Sequence, residues 1–170
     1  AAVLKKFPKT KLGIGPTIEN GFYYDFDFGN PSTSLRARDK ISDADFPELE
    51  TEMRRAIQEG LVMHGEKVTP AKARNFFKGQ PYKLELIKDF VKEKKSLTIY
   101  SLVPTKSEVQ SSKSEVYFAD LCKGGHIKST AEINPDAFKL THLAGAYWKG
   151  SEKNPQLTRI YAVAFNAKEE

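Results

Sequence analysis

Aromatic and acidic side chains alternate without a break through Tyr24-Asp25-Phe26-Asp27-Phe28. A period of two is usable only by an extended strand, whose successive side chains point to opposite faces. The pattern predicts a strand over residues 22–28, with one face turned to a core and the acidic face to water, as in antiparallel sheets. Residues 12–14 read as its neighbour across the turn-prone Gly15-Pro16 and Asn20-Gly21. Far along the chain, residues 138–148 and 157–165 read as two more strands, joined by residues 149–155, where Gly150 and Asn154 favour a turn.

Between these strand-rich ends the period changes. Leu49, Met53 and Ile57 recur at helical spacing over residues 46–58, with Ser42 or Asp43 to cap the helix and Gly60 to stop it. Thr69-Pro70 opens a short helix through Phe76 and Phe77, and a second covers residues 82–90. Strands are predicted at residues 61–68, 96–102 and 115–121, with surface loops at 29–34 and 103–114. Residues 1–7 read as the last turns of a helix stopped by Pro8. The predicted fold class is α+β, mainly antiparallel sheets with helices packed on one side. Residues 1–170 are expected to form one domain or a close pair of lobes, beginning within the first helix.

Composition excludes several classes. No run approaches the ~18 apolar residues of a membrane span, and no basic-then-apolar start resembles a secretory signal. A single cysteine makes no internal disulfide, which agrees with a reducing, cytoplasmic setting. The excess of 27 Lys+Arg over 22 Asp+Glu is mild and suits contact with phosphates without demanding it. The clusters Lys5, Lys6, Lys9, Lys11 and Lys88, Lys92, Lys94, Lys95 read either as solvated faces or as the edge of an RNA path.

Chemistry concentrates in one segment, Asp120-Leu121-Cys122-Lys123-Gly124-Gly125-His126. A strand running into Asp120 would put Asp120 and Cys122 on one face, and the glycine pair lets the chain turn the His126 imidazole back toward the Cys122 sulfur. Cys-x-x-x-His alone supplies two metal ligands as readily as a nucleophile with its base or a water-activating pair.

Three further segments accompany it: Gly15-Pro16-Thr17-Ile18-Glu19-Asn20-Gly21-Phe22-Tyr23-Tyr24-Asp25-Phe26, Leu143-Ala144-Gly145-Ala146-Tyr147-Trp148-Lys149-Gly150 and Arg159-Ile160-Tyr161. In order and spacing the set resembles the editing domain of threonyl-tRNA synthetases, in the threonyl/alanyl-tRNA synthetase second additional domain family, from the first residues to about Phe165. The resemblance implies an aminoacyl-tRNA ester hydrolase that removes serine from mischarged tRNA(Thr). A site that reads a hydroxyl excludes a substrate lacking one methyl by only about 1–3 kcal/mol, so a second, hydrolytic site is needed. It also implies, as partners, the acceptor end of tRNA(Thr) carrying serine and the remainder of the synthetase, with no membrane. The class II aminoacylation motifs are absent from these residues.

Carried over residue by residue, the resemblance implies a site of Lys83, Asp120, Cys122 and His126. His126 would order or deprotonate a water, Asp120 orient it or bind the serine amino group, Lys83 face the sugar hydroxyls or the developing oxyanion, and Cys122 position the water. Without the resemblance Lys83, at a helix start, reads as solvent-facing. Tyr23, Tyr24 and Tyr147 read as packing residues or as contacts to the adenosine, and His64 and His142 as surface or packing residues.

Two departures bear on the site. The family's His-x-x-x-His segment would place its second position at Ala1 and its first outside the sequence, which favours inactivity of the chain as it stands. Gly125 stands where a proline is common, implying a freer loop around His126. Related alanyl-type domains bind zinc with four ligands; here Cys122 and His126 offer two, so no cofactor is expected and zinc at that pair is the alternative. The competing functions are a catalytically inert acceptor-end binding module and a free-standing protein acting in trans.

Overall fold

A computed structural model of the chain describes residues 1–29, 41–105 and 116–165. In chain order the elements are α1 (Ala2–Lys6), β1 (Lys11–Leu12), β2 (Thr17–Ile18), β3 (Gly21–Asp27), α2 (Phe46–Gln58) and β4 (Val62–Val68). There follow α3 (Pro70–Phe76), α4 (Pro81–Lys92), β5 (Leu97–Val103), β6 (Phe118–Leu121), β7 (Phe138–Tyr147) and β8 (Gln156–Ala164). The class is α+β with antiparallel sheets, as predicted. Most of the two predicted loops, residues 30–34 and 106–114, lies outside the described residues. The chain divides into two compact units, Ala1–Arg54 with Asn134–Glu170, and Arg55–Ile133.

The first unit is built on a sheet of order β1-β3-β8-β7, with β2 also paired to β3. Register puts Leu12 opposite Phe26, Tyr24 opposite Ile160, and Leu140 opposite Ala162, so one face carries the buried Leu12, Phe26, Leu140, Ile160 and Ala162. Helix α2 docks through buried Phe46 and Leu49 and through Glu50, itself buried. The Glu50 carboxylate accepts the Leu140 N–H at 2.9 Å and Lys139 Nζ at 2.9 Å. The register of β7 against β8 shifts between Leu140 and His142, beside the strand N–H that turns to the helix. Helix α1 adds ion pairs from Lys5 to Glu52 at 2.8 Å and from Lys6 to Asp45 at 2.9 Å and to Glu48. Burial pushes the Asp45 carboxyl up, but Lys6 and the Ser42 N–H and hydroxyl outweigh it and hold Asp45 below its ordinary value.

The opposite face of β3 departs from the sequence-based expectation of a wet acidic row. Asp25 is 3% exposed. Its cross-strand partner is Arg159, whose Nε and Nη2 donate to the two carboxylate oxygens at 2.7 and 2.9 Å. The guanidinium lies 3.7 Å from the Tyr23 ring centroid, and the hydrogen-bonded Asp25 carboxylate raises the Arg159 pKa above its ordinary value, against the opposing effect of burial. Arg159→Lys keeps the charge but loses the fork and the stack, so urea unfolding should show a loss of about 1–2 kcal/mol at unchanged slope. No change would mean the pair is idle.

The second unit holds a sheet of order β4-β5-β6. Thr69 caps α3 by accepting the Lys72 N–H at 3.2 Å, with Pro70 in the first helical position. Ala73 and Phe77 at the end of α3, Ile87 of α4, and Leu97 and Ile99 of β5 form one apolar cluster, so both helices cover one face of the sheet. Tyr100 belongs to the other row, between Gly65 of β4 and Asp120 of β6. Among the described residues no helix is long and apolar enough to cross a membrane.

Candidate functional site

Helix α4 decides where Lys83 goes. Lys83 and Ile87 are four residues apart and share a helix face, and because Ile87 is fully buried in the apolar cluster, Lys83 is drawn in with it to 1% exposure. The surface reading of a lysine at a helix start is therefore wrong here. A buried ammonium is costly unless an anion meets it. Asp120 does: its Oδ1 lies 2.6 Å from Lys83 Nζ and also accepts the Leu121 N–H at 2.7 Å. The Asp120 side chain stays 16% exposed, so the pair touches solvent from its acidic end.

After β6 the chain crosses the sheet. The Cys122 N–H donates to the Thr98 carbonyl of β5 at 3.2 Å, and the Met63 N–H of β4 donates to the Lys128 carbonyl at 2.9 Å. Residues 123–127 thus pass from β6 over β5 to β4, above Tyr100. They are tied down beyond Lys128 as well: the Thr130 hydroxyl accepts the Leu61 N–H at 2.9 Å and donates to the Ala56 carbonyl at 2.9 Å.

The crossing is close. A Cβ on Gly124 would stand 2.8 Å from the Tyr100 hydroxyl oxygen, and Gly124 has φ +106°. Gly125 follows at φ +84°, an angle closed to proline, so the local backbone differs from what a proline before the histidine would impose. His126 is exposed, and its ring meets Tyr100 edge to face, with centroids 4.5 Å apart and planes at 63°.

The structure therefore joins Lys83 to Asp120 by an ion pair and His126 to Tyr100 by ring contact, and the sheet register sets Tyr100 directly opposite Asp120. Cys122 is half-buried, a free thiol at the end of β6. Among the described residues, no hydrogen bond links its sulfur to His126. Nor do those residues contain a group of three or more His, Cys, Asp or Glu side chains able to hold a metal. Cys122 and His126 alone fall short of a zinc ligand set.

Tyr100 was not selected from the sequence. The one hint was Gly65, a glycine within a strand, which signals close approach by a neighbour. A Cβ there would lie 2.7 Å from the Tyr100 ring. Of the other aromatic candidates, Tyr23 lies under Arg159, Tyr24 stacks on Phe26 at 4.7 Å, and Tyr147 is exposed. His142 stacks on Tyr161 at 4.4 Å with planes at 11°, and His64 is an exposed residue of β4. Of the lysine clusters, Lys5 and Lys6 are engaged with α2 and its cap, and Lys95 pairs with Glu93.

Residues 98–161, which run from within β5 through the crossing loop into β8, match the family described as "Threonyl and Alanyl tRNA synthetase second additional domain". The chain is 44% identical to a threonine–tRNA ligase of Thermotoga neapolitana over 99% of its length and 23% of that protein's. It is 41% identical to one of Borreliella burgdorferi over 99% of its length and 25% of that protein's, and 42% identical to one of Dehalococcoides mccartyi over 96% and 24%. The chain thus spans about a quarter of the length of these relatives. The predicted motifs and the matched residues agree: residues 98–161 carry the match to the threonyl and alanyl tRNA synthetase second additional domain family, and nearly the whole chain is similar to about a quarter of these threonine–tRNA ligases.

Proposed function

We propose that the chain hydrolyses mischarged seryl-tRNA(Thr), as the post-transfer editing domain of a cytoplasmic threonyl-tRNA synthetase. The observation that carries the proposal is the buried Lys83–Asp120 ion pair, two residues ahead of Cys122 and six ahead of an exposed histidine. An exposed imidazole can reach a water, and a fixed ammonium is a source of positive potential that needs no reorganisation during reaction.

In this scheme His126 takes a proton from water as its oxygen adds to the ester carbonyl carbon. Lys83, seated behind Asp120, lends positive potential to the oxyanion that forms, or to the sugar hydroxyls beside it. Asp120 holds Lys83 in place and orients the water or the serine ammonium, while Cys122 positions the water. Collapse breaks the ester C–O bond, and His126 returns its proton to the departing oxygen of the terminal adenosine. The products are serine and free tRNA. Discrimination rests on one methyl group: threonine must displace the water or clash with the wall that holds it, at a cost of about 1–3 kcal/mol before any loss of alignment.

The test is deacylation of seryl-tRNA(Thr) and threonyl-tRNA(Thr), measured with the chain and with the chain extended by the upstream His-x-x-x-His segment that the resemblance implies. Selective release of serine by either form is the expected result. Equal release from both esters would reject the mechanism. Binding of the acceptor end without release by both forms would make the domain an inert module, and equal activity in the presence or absence of the remaining synthetase would favour action in trans.

A further inference from the structure

The backbone is arranged around Tyr100 more closely than a packing residue requires. Gly65 on β4 and Gly124 in the crossing loop both leave out a Cβ that would fall within 2.8 Å of it, one against its ring and the other against its hydroxyl. Real Cβ atoms do not approach that near, so any larger residue at position 65 or 124 would force the ring to move. Asp120 flanks Tyr100 by register on the third side, and the His126 imidazole leans on its ring at 4.5 Å. The rest of the loop supplies little to hold His126: Gly124 and Gly125 both have positive φ, and Gly125 has nothing near its would-be Cβ.

We propose that Tyr100 is a positioning residue of the hydrolytic site. Its ring is the fixed wall that orients His126, with Gly65 and Gly124 keeping the space in which that ring is seated. The proposal rests on the assignment of His126 as the water-activating group. An exposed imidazole on a glycine loop would otherwise sample many orientations, and misplacement by about 1 Å can cost a hundredfold in rate. An edge-to-face contact restricts that freedom. Among the described residues the Tyr100 hydroxyl makes no hydrogen bond, so the orienting contact belongs to the ring and phenylalanine should serve in its place.

The sequence contains three histidines, His64, His126 and His142, which makes a direct test by proton NMR practical. In the unmodified chain the His126 ring protons should show a nuclear Overhauser cross-peak to the Tyr100 ring and a displacement from free-histidine positions. Tyr100→Leu should abolish that displacement while His64 and His142 stay where they were, and Tyr100→Phe should retain it. In the serine-release assay Tyr100→Leu should lower kcat about tenfold to a hundredfold with KM unchanged, and Tyr100→Phe should restore the rate. Absence of the cross-peak, unmoved His126 signals in Tyr100→Leu, or a wild-type rate in that variant would each overturn the proposal. Should Tyr100→Leu unfold, His64 would report it, and the cross-peak in the unmodified chain would decide. Failure of that chain to release serine, in either form, would reject the hydrolytic function, while the cross-peak still decides whether Tyr100 orients His126.

Discussion

His126→Ala is expected to lower seryl-tRNA(Thr) hydrolysis by about a hundredfold or more, the usual scale for losing general acid–base help. The affinity for tRNA should hardly change, because nucleic-acid affinity comes mainly from cations on phosphates, and this substitution removes none of the lysines. The side chain is exposed and its recorded contact is one ring edge, so stability should fall by at most about 1 kcal/mol. Rate and affinity are thus separable in one variant, by single-turnover deacylation and by titration at fixed salt. Full activity after the substitution would remove His126 from the mechanism.

The second large effect concerns stability. Lys83→Met leaves the Asp120 carboxylate without the ammonium that now lies 2.6 Å away, and breaking a buried pair from one side costs about 3–5 kcal/mol. The 16% exposure of Asp120 lets water offset part of this, so the expected loss is near the lower bound, about 3 kcal/mol. Lys83→Met with Asp120→Leu should recover most of the lost stability, since apolar replacement of a whole buried pair is often neutral or better. It should recover none of the serine release. Urea unfolding of the single and double variants, with deacylation alongside, checks both halves; a stable Lys83→Met would show that the pair contributes little to the fold.

Much of the fold could be read from periodicity, because both helical and strand spacing are local. The run Leu49, Met53, Ile57 defines α2, whereas Ser42, predicted to cap it, caps the short 3-10 helix Asp43–Asp45 that leads into it; Thr69-Pro70 marks the start of α3. What escaped depended on partners far away in sequence. Asp25 reads as a wet residue until Arg159, 134 positions later, is placed across from it. Lys83 reads as a surface lysine until Ile87 is known to be buried and Asp120 to lie at the strand end. Two-residue β2 is too short to carry a period at all. Asp120, Cys122 and His126 were visible as a cluster because they are neighbours in sequence, whereas Tyr100 reaches them only through the pairing of β5 with β6.

That pairing leaves the site sensitive to alignment. Fourteen residues separate β5 from β6, far more than a tight hairpin turn that would set the register by its own geometry. Alignment must come from the side chains, from buried Ile99 opposite half-buried Leu121 and from the clasp of Lys83 on Asp120. A slip of one residue would flip β6, turning Asp120 away from Tyr100 and presenting Ala119 or Leu121 in its place. Such a molecule would keep its helices, its strands and its circular dichroism, yet be unable to function. Spectroscopic evidence of folding is therefore no evidence of a formed site, and preparations of equal helicity can differ in the fraction of competent molecules.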